Sequence, residues 1–200
     1  GGAVAVFGHR WGGELGLPKR NGVGNYFADW VLARLDERGE LAEFTSIEVQ
    51  TIDTTGNYRA SRAGLIDGRR EVKSTVGLNW ENVSKRIIPQ LVYKGQVLQR
   101  EPLCRSGLWF VTPESVYSRI IDRLGGAKNM AFGYAPQPGA LHFLRYDYDD
   151  NAEHAKGVPT KLMVTGDECT TVEQVQAAFN RVRLPEPGVY GKALREALYG

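Results

Sequence analysis

Between residues 44 and 52 the apolar side chains Phe44, Ile47, Val49 and Ile52 enclose one carboxylate, Glu48, with Gln50 two places on. The run predicts a central strand, and alternation along it sets Glu48 and Gln50 on one face. Residues 26–35 form a second apolar run with an acid, Asp29, set into it. Strand is expected there, with helix open for its second half. Short strands are expected at 3–8 and 107–111, and further strands at 141–148 and 161–165. Val83, Ile87, Leu91 and Leu98 follow helical spacing over 80–100. Asn79 is the expected cap, and Pro89 inside the pattern predicts a kink or irregular start. Thr112-Pro113-Glu114 announces another helix, with Thr112 as N-cap, that stops at Gly125-Gly126. A short amphipathic helix is expected over 171–182, and a helical turn or two at the end. Residues 53–77, rich in Gly, Arg, Asp and Thr, read as a long, partly irregular connection. Strands alternate with helices, so the expected class is α/β, a mixed central sheet flanked by helices. All 200 residues fit one domain, with a core over about 1–125 and C-terminal strands and helices over 126–200.

Composition narrows the function classes. Hydrophobic content of 42% and charged content of 24% suit a soluble globular protein. A net charge of +2 excludes a wholesale basic coat but leaves room for a local basic groove. No apolar run has the length of a membrane span, and residues 1–7 are too short and lack the basic start of a signal peptide. Cys104 and Cys169 cannot make a four-thiol metal site, and a reduced cytosolic pair is expected. The chain begins at Gly1 without Met, as expected of an excised or processed piece. His9, His142 and His154 are dispersed, which argues against zinc. GxSxG, the P-loop and GxGxxG are all absent, so neither a nucleophile elbow nor a nucleotide cofactor is expected.

The chemistry sits in the acids. A carboxylate inside an apolar strand is expensive unless something pairs with it, and a cation is the cheapest partner. Two strand-borne acids can converge on one divalent metal and hold it against a phosphate. Two segments compete for the pattern acid-x-Lys that would follow an upstream acid. Glu71-Val72-Lys73 carries the commoner letters, with Asp53 as a conceivable upstream partner, but its flanks are too polar for a central strand. Glu48-Val49-Gln50 has the strand context and Gln where Lys is usual. Gln cannot act as a general base, though it can hold a water by hydrogen bonds. The bland alternative is that Asp29 and Glu48 form ordinary ion pairs with Arg or Lys.

Gly12-Gly13-Glu14-Leu15, Phe27-Ala28-Asp29-Trp30, and residues 48–53 with Gly56-Asn57-Tyr58 resemble the NotI-type restriction endonucleases. These are PD-(D/E)XK nucleases with an unusual Gln in the last motif position. The similarity continues through residues 79–86, 90–94, 107–111 and 113–117, and spans roughly 7–120. It implies a restriction-endonuclease-like core in which Asp29 and Glu48 ligate metal, Gln50 replaces the lysine, and Glu14 is an additional upstream acid. The founding enzyme's four-cysteine segment has no counterpart here, so a target sequence does not transfer.

The resemblance implies Mg²⁺ (with Mn²⁺ a plausible substitute) between Asp29, Glu48 and the backbone carbonyl of Val49, and a water placed by Gln50 for in-line attack on phosphorus. Lys85, Arg86 and Lys94 are expected to clamp phosphates of double-stranded DNA, and Arg59, Arg62, Arg69, Arg70 and Lys73 to read bases from the glycine-rich loop. A palindromic target would call for a homodimer in a prokaryotic cytoplasm. The competing functions are a structure-selective repair or defence nuclease, a catalytically silent DNA-binding domain, and a hydrolase using Glu14 and Asp29 as an acid pair.

Overall fold

A computed structural model describes residues 2–17, 26–51, 59–67, 79–149, 151–152, 158–181 and 185–199. Ile52 and Asp53, residues 56–58, Glu71, Val72 and Lys73, with Arg69 and Arg70, lie outside them. The centre is a six-stranded mixed sheet in the order β1-β4-β5-β6-β7-β8. Its strands are β1 (Val4–Gly8), β4 (Trp30–Leu35), β5 (Leu41–Val49), β6 (Leu108–Pro113), β7 (Ala140–Tyr148) and β8 (Leu162–Thr171). β1, β4 and β5 pair antiparallel, β5, β6 and β7 run parallel, and β8 returns antiparallel to β7. A separate ribbon pairs β2 (Leu15–Gly16) with β3 (Phe27–Ala28). The mixed α/β class expected from the sequence is present.

Several boundaries differ from the sequence reading for identifiable reasons. The run at 26–35 contains no helix and divides into β3 and β4 at a bend at Asp29. β5 begins at Leu41, earlier than expected, because its antiparallel partner β4 extends the pairing back to Leu41, and it stops at Val49. β8 runs ten residues, since pairing with β7 carries polar Asp167 and Glu168 into the strand. Within 53–77, the described part forms a helix, α1 (Arg59–Ile66).

The segment after Trp80 is helical but divided. Val83–Ile87 forms a π-helical turn, and α2 (Ile88–Leu98) continues from it. Pro89 has no N–H to donate, and the N–H of Ile88 reaches back five residues to the Val83 carbonyl. The proline that predicted a kink produces a widened turn. Asn79 contributes its carbonyl, which accepts from the Asn82 N–H at 3.1 Å. Thr112 belongs to β6 and not to a cap; its hydroxyl donates to the Gln50 carbonyl at 2.8 Å and ties the end of β5 to β6. Pro113 takes the N-cap position of α3 (Glu114–Arg123), which ends at Gly125 and Gly126, both at positive φ. Thr171 does cap α4 (Val172–Asn180), accepting from the Gln174 N–H at 3.3 Å. A three-turn α5 (Val189–Tyr199) follows.

The core lies between one face of the sheet and helices α2, α3 and α4. Leu108, Phe110, Leu141 and Phe143 point from the sheet into Val83, Ile87, Leu91, Leu98, Val116, Ile120 and Val175. Alternation makes Ser46 and Glu48 of β5 continue this buried face, in line with Leu108 and Phe110. The helix spacing therefore delivers α2 onto the same face as Glu48. Gly95 lets α2 lie close against α4: a Cβ there would collide with Val172 Cγ2. A valine methyl is a stiff neighbour, so Gly95→Ala is expected to destabilise the fold by about 1–3 kcal/mol, read from urea unfolding. An unchanged midpoint would show that α2 and α4 do not depend on this contact.

Candidate active site

Asp29 and Glu48 come from neighbouring strands. The β4–β5 register pairs Trp30 with Ile47, and continuing it one step sets Asp29 against Glu48. Asp29 stands at the break between β3 and β4, where its Oδ2 accepts the Val49 N–H at 2.8 Å. That bond holds Asp29 at the carboxyl end of β5. Ligand sites of open α/β sheets collect at such strand ends. Glu14 is exposed and lies one residue outside the β2–β3 pairing, on the side where Asp29 leaves it. Its Oε1 is 3.6 Å from His9 Nδ1.

Glu48 is 8% exposed and is met by a lysine, Lys94 of α2, itself 6% exposed. Lys94 Nζ lies 2.6 Å from Glu48 Oε2 and donates to the Phe27 carbonyl at 2.8 Å. The ring of the adjacent Tyr93 stacks tilted against Tyr26, centroids 4.3 Å apart. Two contacts thus tie residues 26 and 27, just ahead of Asp29, to α2. The other oxygen, Glu48 Oε1, is buried and accepts no hydrogen bond. Burial raises the Glu48 pKa to about 7; Lys94 opposes this, and the charge of Asp29 adds to it.

The ion-pair alternative therefore holds for Glu48, with lysine as partner. It also corrects one expectation. Lys94 is not on a solvated helix face where it could clamp phosphates; it occupies the buried stripe with Leu91 and Leu98, three and four residues away. The sequence held this signal, since Lys94 falls on the apolar helical spacing that faces the acid-bearing strand.

Gln50 lies one residue past the end of β5, its N–H still donating to the Val111 carbonyl at 3.0 Å, and like Glu48 it faces the helical side of the sheet. Its amide donates to the Thr51 carbonyl at 2.6 Å. With Thr51, Asn82, Arg86, Ile87 and Gln90 it lines a notch of about 10 Å³, the room of roughly one water. Lys85, exposed on the π turn, pairs with Glu81 at 2.5 Å. Arg59 and Arg62 stand exposed on α1.

The oxygen-rich set of Asp29 and Glu48 suits a hard cation, and the unsatisfied Oε1 is where one would be received. Among the described residues, no three His, Cys, Asp or Glu side chains gather into a metal cluster. Two carboxylates are nonetheless enough for Mg²⁺, which commonly takes one or two from the protein and the rest from water and phosphate. No helix among the described residues is long and apolar enough to cross a membrane. No family model matches the chain, and no curated protein matches it.

The pair has a definite pH signature. The Glu48 pKa of about 7 is above that of a carboxyl in the unfolded chain, so its contribution favours folding at low pH and is lost as pH rises through about 7. Removing Lys94 takes away what holds that pKa down, so the added penalty falls on the ionised, high-pH side. Lys94→Met is expected to destabilise the protein by about 3 kcal/mol at pH 8 and by clearly less at pH 5.5, measured by denaturant unfolding at both values. Equal losses at the two values would mean that Glu48 is not charged against Lys94.

Proposed function

We propose that this chain is a Mg²⁺-dependent endonuclease that hydrolyses phosphodiester bonds of double-stranded DNA at a specific, palindromic site. The observation that carries the reading is the placement of two acids at adjacent positions of the sheet, Asp29 held by the Val49 N–H and Glu48 left with one unsatisfied buried oxygen. The resemblance to NotI-type restriction endonucleases in the order and spacing of residues 12–15, 27–30 and 48–53 supports the same assignment.

In this reading Asp29, Glu48 and the Val49 carbonyl hold the cation, and Glu14 stands at the margin. Mg²⁺, when bound, supplies charge neutralisation at the phosphate and an acidified water. The chain's own residues set the geometry. The Val49 N–H fixes the Asp29 carboxylate. The Thr112 hydroxyl anchors the end of β5 through the Gln50 carbonyl. The exposed Arg59, Arg62 and Arg86 offer guanidinium groups for backbone and base contacts. A twofold pair of subunits, each cutting one strand, would serve a palindrome.

Incubation with plasmid DNA and Mg²⁺ is expected to give discrete fragments with one sequence at every end. Asp29→Asn and Glu48→Gln preserve size while removing charge, and each should lower cleavage by about 1,000-fold or more with the circular dichroism spectrum unchanged. Heterogeneous ends would favour a nuclease without a fixed site. DNA retention with no cleavage in Mg²⁺ or Mn²⁺ would mark a silent binding domain and overturn the proposal.

A further inference from the structure

The motif position expected to carry a cation carries Gln50, whose amide is turned onto the Thr51 carbonyl. A cation is nevertheless present beside the acids, delivered from a different element. We propose that Lys94 is the catalytic lysine of this site, supplying from α2 the ammonium that, beside Glu48, orients the attacking water. This rests on the endonuclease reading and deepens it.

Three observations carry the assignment. The Lys94 ammonium lies 2.6 Å from Glu48 Oε2, so it already sits beside the carboxylate that faces the reacting phosphate in that reading. It is aimed by the Phe27 carbonyl at 2.8 Å, two residues before Asp29. Two of its three N–H groups are thereby directed, and the same two partners define its position relative to both acids. Its location on the apolar stripe of α2 also has a cost, since a lysine is seldom buried without a paired role. A leucine at 94 would continue the stripe formed with Leu91 and Leu98. Surface lysines such as Lys85 meet none of these conditions: Lys85 is exposed and paired with Glu81 one turn away.

The step balances without a proton from Lys94. A water oxygen bonds to phosphorus as the bond to the 3′ oxygen breaks. The water's proton passes to solvent, the departing 3′ oxygen takes one from solvent, and Lys94 remains an ammonium throughout. Its contribution is positional and electrostatic, acting where water is largely excluded.

The test compares Lys94→Gln, Lys94→Arg and Gln50→Ala in the full chain, with two readouts. The first is single-turnover cleavage of DNA in Mg²⁺, alongside DNA binding by fluorescence anisotropy in Ca²⁺. Lys94→Gln keeps hydrogen-bond donors for Glu48 and the Phe27 carbonyl, so it separates charge from support. It is expected to lose about 100-fold or more in rate with DNA affinity held within about threefold, and Lys94→Arg to recover part of the loss. Gln50→Ala is expected to lose less than Lys94→Gln. The second readout is Mn²⁺ binding to DNA-free protein by calorimetry. Removing an ammonium that leans on Glu48 should tighten Mn²⁺ binding several-fold, whereas loss of a merely structural prop would weaken it or leave it unchanged.

Cleavage by Lys94→Gln near the wild-type rate, or Mn²⁺ binding that is unchanged or weaker, overturns the assignment to Lys94 and leaves the endonuclease reading standing. Absence of any cleavage by the wild-type chain overturns both.

Discussion

The buried contact between Glu48 and Lys94 governs how the rest of this structure is arranged. Neither charge belongs in an apolar interior alone, and breaking such a pair typically costs about 3–5 kcal/mol. β5 must therefore present Glu48 where α2 can reach it. α2 is itself seated against α4 at Gly95, where a side chain would collide with Val172. The pair also demands that residues 26 and 27 stay near α2, through the Phe27 carbonyl and the Tyr26–Tyr93 contact. Asp29 follows directly, and its carboxylate closes onto the Val49 N–H. One ion pair thus fixes three segments far apart in the chain.

The compensation of Glu48 is incomplete. Oε2 is satisfied by Lys94, while Oε1 has no hydrogen bond, and burial lifts the pKa to about 7. Buried polar atoms are almost always paired, so an orphan beside a second carboxylate is informative. A site optimised only for stability would replace these groups with apolar ones of similar size. Keeping them makes sense where an incoming cation or phosphate completes the set. Perturbed carboxylates held by a specific partner are also what functional sites tend to contain.

Much of the framework could be read from the chain, and the reasons are local. The β-rich run at 44–49 and the alternating run at 141–148 follow the two-residue period of a strand, so they announce strands without help from distant residues. Gly125 and Gly126 adopt positive φ and end α3 where two glycines suggest an end. Pro89 marks the departure from regular helix because the missing N–H is a property of that residue alone. What escaped was set by tertiary pairing. β8 extends through Asp167 and Glu168 because β7 offers a partner, and Thr112 joins β6 although its neighbours spell a cap. The acids at 29 and 48 could be paired from strand context, but the side chain between α2 and β5 could not be assigned from charge alone. Charge alone marks Lys94 as a phosphate clamp, whereas its position on the stripe of Leu91 and Leu98 sets it against an acid on the facing strand.

Under the proposed function, Asp29 and Glu48 would receive one divalent cation beside Lys94. Crystals of the chain with uncleaved duplex DNA and Mn²⁺, examined by anomalous scattering at the manganese edge, address it directly. The account predicts a single strong peak within coordination distance of a carboxylate oxygen from each acid, with a DNA phosphate oxygen in the same sphere. A complex in which DNA is bound elsewhere, and Glu48 keeps Lys94 with no scatterer near either acid, would contradict it.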